Sequence, residues 1–371
     1  MRITHGSSGI IAALGAASLL SLGALTGCGG SDDAAGPGAG GAAGSASGGA
    51  AGSASGGAAG SASGGAAGSA SGGAAGSASG GTGGASGGAK TFSDCFANIY
   101  ENPRSLVVPN YDKFGGNYNS TCSGTNNQDI QGVERVVFLG DSITVGPGFP
   151  TPANLVYRTL LTNRLKQRFP GVAVSSCAVN GAKVDDFFSG DRQISKCFPG
   201  VEQKKTLTIF TMGGNDIKSV AGDKLSPAAA QPVIDKMITD LRATIEWLKD
   251  PVNFPNGSYV VFANVYEYTD LTGDLSSCPA AGTAGLSGQY LAAAGLITQI
   301  REKYMQIASE TGTDMIFMGE DFCGRGYHSK DAGGQCYRGP NTPNWFDISC
   351  IHPTNDGHAH IADMFFETIA E

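Results

Sequence analysis

From residue 133 to the end of the chain, short apolar runs alternate with longer segments whose apolar residues recur at helical spacing. The apolar runs are 133–139, 172–179, 206–212, 259–265 and 314–318, and the helical segments are 155–169, 233–248, 291–311 and 354–369. Strands that alternate with helices are typical of a parallel sheet covered on both faces. We therefore expect an α/β domain, a three-layer α/β/α sandwich with a mostly parallel central sheet.

The chain also contains a low-complexity tract that cannot contribute to such a core. Residues 40–79 are five tandem copies of the octad GGAAGSAS, which contains no large apolar side chain. The octads have little to bury against the entropy cost of ordering. We interpret 28–90 as a disordered Gly/Ala/Ser linker, 91–131 as a polar N-terminal extension and 132–371 as the folded domain.

The charge balance argues against nucleic acid as a partner. The chain has 24 Lys and Arg against 32 Asp and Glu, a net charge of −8. In the interior of the folded part the only adjacent basic pair is Lys204-Lys205, and no aromatic residues are interleaved with it. Because a phosphate backbone needs a concentrated positive face, we expect no nucleic-acid binding.

The first 27 residues are typical of an export signal. Arg2 precedes an apolar run of small residues, which is too short and too rich in glycine for a membrane span. The sequence Leu25-Thr26-Gly27-Cys28 resembles the bacterial lipoprotein signal. That resemblance implies cleavage before Cys28, acylation of Cys28 and a membrane anchor. Gly29 at the next position favours the outer membrane or cell surface, and a secreted, unanchored protein is the alternative.

Glycine-containing motifs follow three of the expected strands, where parallel sheets form their sites. A His-Pro pair precedes the last expected helix. The four motifs are Gly140-Asp141-Ser142, Asn180-Gly181, Gly213-Gly214-Asn215-Asp216 and His352-Pro353. In this order they resemble the GDSL/SGNH hydrolase family, and the resemblance runs from about residue 133 to the end.

The resemblance implies a flavodoxin-like sandwich that hydrolyses carboxylic esters through an acyl-enzyme. Ser142 would be the nucleophile and His352 the base that takes its proton, because a serine hydroxyl is a poor nucleophile by itself. The backbone N–H groups of Ser142 and Gly181 and the side chain of Asn215 would form the oxyanion hole. Asp141 would order the nucleophile loop.

One position departs from the family pattern, which has an acid three residues before the histidine. That position is Ser349, and the nearest upstream acid is Asp347. In an extended chain the two positions lie about 6–7 Å apart, so Asp347 could orient His352 only if the segment curls. We slightly favour Asp347, and leave Ser349 or a main-chain carbonyl as the alternatives.

Three histidines near the C-terminus raise the question of a metal. His358 and His360 stand two residues apart on the last expected helix and therefore do not share a face with each other. We therefore expect neither a metal site nor a cofactor.

Eight cysteines follow Cys28, and an even number in an exported chain predicts disulfides. Pairing sequence neighbours predicts Cys95–Cys122, Cys177–Cys197 and Cys323–Cys336, which leaves Cys278–Cys350. The last bridge would restrict the loop that carries His352. Buried free thiols are the alternative.

Together these features predict a monomeric, membrane-tethered serine esterase. Its substrate would be a short acyl ester, an acylated glycan or a lipid, with acetylated polysaccharide or a short acyl ester favoured. The alternatives are a non-catalytic, hydrolase-like surface binding protein and an acyltransferase that uses the same serine.

Overall fold

The computed structural model describes residues 127–146 and 151–370. The expected signal peptide, the linker, most of the N-terminal extension, Cys28, Cys95 and Cys122 lie outside these residues. The described strands are β1 Arg135–Gly140, β2 Ala173–Ser176, β3 Thr206–Thr211, β4 Ser258–Ala263 and β5 Asp314–Ile316. The α-helices are α1 Ser142–Val145, α2 Tyr157–Arg168, α3 Gln193–Cys197, α4 Gly214–Gly222, α5 Pro227–Lys249, α6 Ala293–Thr311, α7 Met318–Phe322 and α8 Asn355–Ala370.

The five strands form one sheet in the order β2-β1-β3-β4-β5, and every neighbouring pair is parallel. All six residues of β3 and five of the six residues of β1 are buried. Successive side chains of a strand point to opposite faces, so burial along a whole strand requires cover on both faces. The expected α/β fold is confirmed.

The helices form two packed groups. Helix α2 packs against α8, where the rings of Tyr157 and Phe365 stack 5.5 Å apart, and α5 packs against α6. The buried positions of α5 include Ile234, Met237 and Leu241, an apolar stripe at helical spacing. The right-handed rule for parallel crossovers places α2 on one face of the sheet and α5 and α6 on the other.

The strand order positions the functional site. The chain runs outward from β1 to β2 in one direction, and from β3 to β4 and β5 in the other. Loops that leave two such neighbouring strands separate and open a crevice at the carboxyl ends of the strands. Here the crevice lies between the loops that follow Gly140 and Thr211.

Gly140 is a position where no other residue fits. Its φ is 124°, and a Cβ there would collide with the Thr211 carbonyl and lie 2.8 Å from Thr144 Oγ1. The glycine therefore lets β1 and β3 remain adjacent up to the turn that carries Ser142.

The last residues of the expected extension pack against the opposite end of the sheet. The side chain of Gln128 donates to the Val260 carbonyl at 2.7 Å, and Ile130 is buried. Among the described helices, none is both long enough and apolar enough to span a membrane.

Candidate active site

Ser142 lies at the start of α1, immediately after β1. Asp141 caps this turn: its Oδ1 accepts hydrogen bonds from the Ile143 N–H at 3.0 Å and from the Thr211 hydroxyl at 2.9 Å. Asp141 is buried, and burial raises the pKa of its carboxyl to about 7. These contacts hold the turn that carries Ser142.

A buried glutamine supports the same turn from a distant part of the chain. The side chain of Gln193, on α3, accepts from the Gly140 N–H at 2.8 Å and donates to the Gly140 carbonyl at 2.9 Å. It therefore satisfies both backbone groups of the last residue of β1. An isolated glutamine has no sequence signature, and the sequence analysis missed it.

His352 comes from the other end of the domain, just before α8. Its Nε2 lies 2.9 Å from Ser142 Oγ, a normal hydrogen-bond distance. Both side chains are half-buried and remain accessible from solvent. The structure thus brings together the serine and the histidine that the motifs pointed to.

The segment before His352 curls back on itself. The Asp347 N–H donates to the His352 carbonyl at 2.9 Å, and the Cys350 N–H donates to the Asp347 carbonyl at 3.0 Å. Cys350 has a φ of 71°, which turns the chain at this point. The curl that would let Asp347 support His352 is therefore present.

Asp347 reaches His352 through Ser349 and not directly. Ser349 Oγ lies 2.9 Å from His352 Nδ1, and its hydroxyl donates to Asp347 Oδ1. A carboxylate can only accept, so the single hydroxyl proton of Ser349 is committed to Asp347. Ser349 Oγ must then accept from Nδ1–H, which leaves Nε2 as the acceptor for the Ser142 hydroxyl.

Three contacts from distant residues hold this loop in place. Tyr266 donates its hydroxyl to the Ile351 carbonyl at 2.8 Å, and Tyr327 donates to the Asp347 carbonyl at 2.8 Å. The Cys278–Cys350 disulfide ties the loop to the segment after β4. The imidazole is therefore positioned on a restrained segment.

Asn215, near the start of α4, lines the same cavity as Ser142. One Nδ2 proton is donated to the Ala182 carbonyl at 2.9 Å, which leaves the other proton available. The backbone N–H groups of Ser142 and Gly181 donate to no acceptor within 127–146 and 151–370. Gly181 has a φ of 79°, and a Cβ there would meet nothing within 4 Å, so glycine serves the backbone angle.

Asp216, the next residue, holds the Gly181 loop from a second point. Its Oδ2 accepts from the Val184 N–H at 3.2 Å, while the neighbouring Asn215 side chain donates to the Ala182 carbonyl. The two adjacent side chains therefore hold the two ends of the segment 182–184. Burial raises the pKa of Asp216 to about 6. The motif contained this residue, but its partner lies 32 positions away and cannot be read from it.

The surroundings of His352 favour its neutral form. Burial is the largest influence and lowers the pKa of His352 below its ordinary 6.5. The charge of Asp347 opposes this shift, and the ammonium group of Lys218 adds to it. A neutral imidazole is the form that can accept the Ser142 proton.

A cavity partly open to solvent adjoins this group. Ser142 and Asn215 form part of its wall, and the rest is largely apolar.

The three C-terminal histidines face different partners. His358 is buried, its Nδ1 accepts from the Tyr157 N–H at 3.4 Å, and burial lowers its pKa to about 3. His360 Nε2 lies 3.1 Å from Asp321 Oδ2. In the part of the chain that the structure describes, no group of three His, Cys, Asp or Glu side chains could hold a metal ion.

The cysteines form the disulfides Cys177–Cys197, Cys278–Cys350 and Cys323–Cys336, with Cα–Cα distances of 5.9, 5.8 and 5.1 Å. Cys177–Cys197 and Cys323–Cys336 are the pairs expected from sequence neighbours, and Cys278–Cys350 is the pair that this pairing left over. The fourth expected pair lies outside the described residues.

The arrangement as a whole suits nucleophilic attack on a carbonyl carbon. A hydroxyl lies within reach of a neutral imidazole, the imidazole is oriented by a hydroxyl and a carboxylate, and the Asn215 amide, an N–H donor, lines the same cavity as the hydroxyl. Such donors stabilise the negative charge that develops on the carbonyl oxygen.

Solved structures with a similar chain course belong to bacterial esterases and lipases. One is a catalytic mutant of an acetylxylan esterase from Geobacillus stearothermophilus, with 16% identity, 66% of this chain and 97% of that chain covered, and a TM-score of 0.43. Another is an extracellular lipase from Streptomyces rimosus, with 20% identity, 63% and 99% coverage and a TM-score of 0.42. A third is phospholipase A1 from Streptomyces albidoflavus NA297, with 16% identity, 64% and 100% coverage and a TM-score of 0.44.

A comparison with curated proteins gave no match. The sequence model of the GDSL-like Lipase/Acylhydrolase family matches residues 138–360, which include both Ser142 and His352. Because this match spans more than half of the chain, the protein belongs to the GDSL-like lipase/acylhydrolase family of carboxylic ester hydrolases.

Proposed function

We propose that Ser142 is the nucleophile of a serine esterase that works through an acyl-enzyme. The observation that carries the proposal is the 2.9 Å contact between Ser142 Oγ and His352 Nε2, with Ser349 and Asp347 aligned behind the imidazole. His352 takes the proton of Ser142 as the oxygen attacks the ester carbonyl, and returns it to the leaving alcohol. Water then repeats the sequence on the acyl-enzyme, and the carboxylic acid is released.

In this mechanism the tetrahedral oxyanion lies against Asn215 and the N–H groups of Ser142 and Gly181. Replacing Asn215 with alanine is expected to lower kcat by about 10²- to 10³-fold with little change in KM, because the amide is needed mainly in the transition state. Steady-state kinetics on p-nitrophenyl butyrate measure the effect. Since Asn215 also holds the Ala182 carbonyl, an Asp216→Asn variant serves as a control for loop movement. An equal loss in both variants would contradict a direct role for the Asn215 amide.

The rate is expected to depend on the protonation of His352. It must be neutral to act, and its pKa is lowered, so the acid limb of kcat/KM should have its midpoint below pH 6.5. Replacing Lys218 with methionine removes a charge that lowers this pKa and should move the midpoint upward. Lys166→Met, on an exposed position of α2, is the matched control. A Lys218→Met profile identical to the wild type would contradict this assignment.

A serine-directed phosphonate tests the mechanism against both alternatives. We expect a stoichiometric mass increase on the peptide that contains Ser142, together with loss of ester hydrolysis. A surface binding protein would be neither labelled nor active on p-nitrophenyl esters. An acyltransferase would be labelled, but its p-nitrophenol release would be slow until an acceptor alcohol was added.

We also propose that the protein is exported and held at the outer membrane or cell surface by acyl chains on Cys28. The support is the sequence Leu25-Thr26-Gly27-Cys28 and the Gly/Ala/Ser repeat that follows it. Burial of acyl methylenes in a membrane is worth about 0.8 kcal/mol each, so several chains make a firm anchor. Replacing Cys28 with serine should move the mature protein from the membrane fraction to the soluble fraction. Equal membrane retention of both forms would contradict the anchor.

A further inference from the structure

The cavity beside Ser142 is lined mainly by buried aliphatic side chains. Helix α4 contributes Ile217, Val220 and Ala221, and α6 contributes Leu296 and Ile297. Four of these five residues are at most 9% exposed, while Ile217 is half-buried. Most of this wall therefore belongs to the hydrophobic core and presents no hydrogen-bonding groups.

Lys218 and Asn215 place N–H groups on the part of the wall near Ser142, but several other polar residues of the wall have their side-chain oxygens engaged elsewhere. The hydroxyls of Tyr266, Tyr268 and Tyr290 donate to the carbonyls of Ile351, Leu275 and Leu225 at 2.7–2.8 Å. The Glu267 carboxylate accepts from the Thr269 N–H and hydroxyl and from the Leu271 N–H. These groups leave ring surfaces and methylenes toward the cavity.

A sugar ring packed against the aliphatic part of this wall would lose its hydration and gain few hydrogen bonds, which costs free energy. A hydrocarbon chain has nothing to lose, and each buried methylene adds to its binding. The cavity walls therefore favour a hydrocarbon chain over an acetylated glycan.

The covalent step indicates which half of the ester occupies this space. After Ser142 Oγ bonds to the carbonyl carbon and the C–O bond to the alcohol breaks, the acyl half stays on the serine. The alcohol leaves with the proton from His352, and water must enter from the side it vacated. The retained acyl group fits the enclosed side, and the leaving alcohol fits the side open to solvent.

Resting on the proposed function, we propose that this cavity is an acyl-chain pocket and that the substrate is an ester of a medium-chain fatty acid. Each added methylene is then expected to raise kcat/KM by up to about fourfold, which corresponds to about 0.8 kcal/mol. The increase should continue past butyrate and be at least about 100-fold between acetate and octanoate.

The test compares p-nitrophenyl esters from acetate to dodecanoate, kept below their critical micelle concentrations, on the folded full chain. Ala221→Leu and Ala294→Leu each narrow the cavity, and leucine keeps a high helix propensity. We expect each to lower the octanoate-to-acetate ratio of kcat/KM by at least about tenfold, with acetate turnover within about twofold of the wild type. Ala228→Leu, at an exposed position of α5, is the matched control and should leave the ratio unchanged.

Several results would contradict the proposed acyl-chain pocket but not the proposed esterase activity. One is a wild-type kcat/KM that is highest for the acetate ester, and another is an equal loss of kcat/KM on all chain lengths in both narrowed variants. Faster cleavage of octyl acetate than of methyl octanoate, or a higher kcat/KM on acetylated xylan than on the octanoate ester, would contradict it as well. Failure of the proposed function looks different, because no ester would then be cleaved in a manner that depends on Ser142. Thermal unfolding of each variant separates a narrowed cavity from a destabilised fold.

Discussion

Replacing Ser142 with alanine is expected to reduce kcat by about 10⁴- to 10⁶-fold, the largest effect of any single substitution in this protein. The reason is that no other hydroxyl occupies the position 2.9 Å from His352 Nε2 within the described residues. The small side-chain change leaves the cap by Asp141 and the backbone N–H of residue 142 in place, so substrate binding should survive. Single-turnover and steady-state rates on p-nitrophenyl butyrate measure the loss.

Three further variants make this result specific. We expect the kcat of the His352→Ala variant, and that of the double variant with both substitutions, to lie within a few-fold of the kcat of Ser142→Ala. The reason is that the two side chains act as one unit. Ser195→Ala, an exposed serine on α3, should be as active as the wild type. Multiplicative losses in the double variant would mean that the serine and the histidine work independently, which contradicts the mechanism.

The architecture was predictable because it depends on patterns that are local in the chain. Short runs of apolar and β-branched residues such as 206–212 predict strands buried on both faces, and the stripe on α5 predicts a helix that covers one face of the sheet. The order of the glycine motifs along those strands then placed Ser142 and Asn215 at one edge of the sheet. These inferences need only periodicity and the rule that parallel strands end together.

The supporting contacts were not predictable, because each depends on residues that are distant in sequence. The curl before His352 requires Cys350 in the left-handed region and hydroxyls from Tyr266 and Tyr327. Gln193 pairs with Gly140 across 53 positions. The acyl cavity was missed for another reason: an aliphatic side chain such as Val220 has the same helical spacing whether it faces a core or a cavity.

The second large effect concerns the connection between Asp347 and His352. Because Ser349 lies between them, we expect Ser349→Ala and Asp347→Ala each to lower kcat by about 10²-fold or more, up to the roughly 10⁴-fold found when a triad acid is lost. The double variant should be no slower than the worse single one, since either change interrupts the same chain of hydrogen bonds. Asp347→Asn keeps an oxygen for the Ser349 N–H and hydroxyl but removes the charge, so its loss should be smaller.

A variant in which Asp347 and Ser349 are exchanged distinguishes a role in orienting the His352 imidazole from a general disruption of the loop. Ser349→Asp combined with Asp347→Ser places a carboxylate where Ser349 Oγ now lies, 2.9 Å from His352 Nδ1, and keeps one buried charge. Direct contact with a carboxylate orients the imidazole and stabilises its charged form, so we expect kcat within about tenfold of the wild type. Thermal unfolding confirms that each variant is folded. If Ser349→Ala were nearly as active as the wild type while Asp347→Ala was inactive, Asp347 would act on His352 without the serine. That result would contradict a role for the hydrogen-bond chain through Ser349.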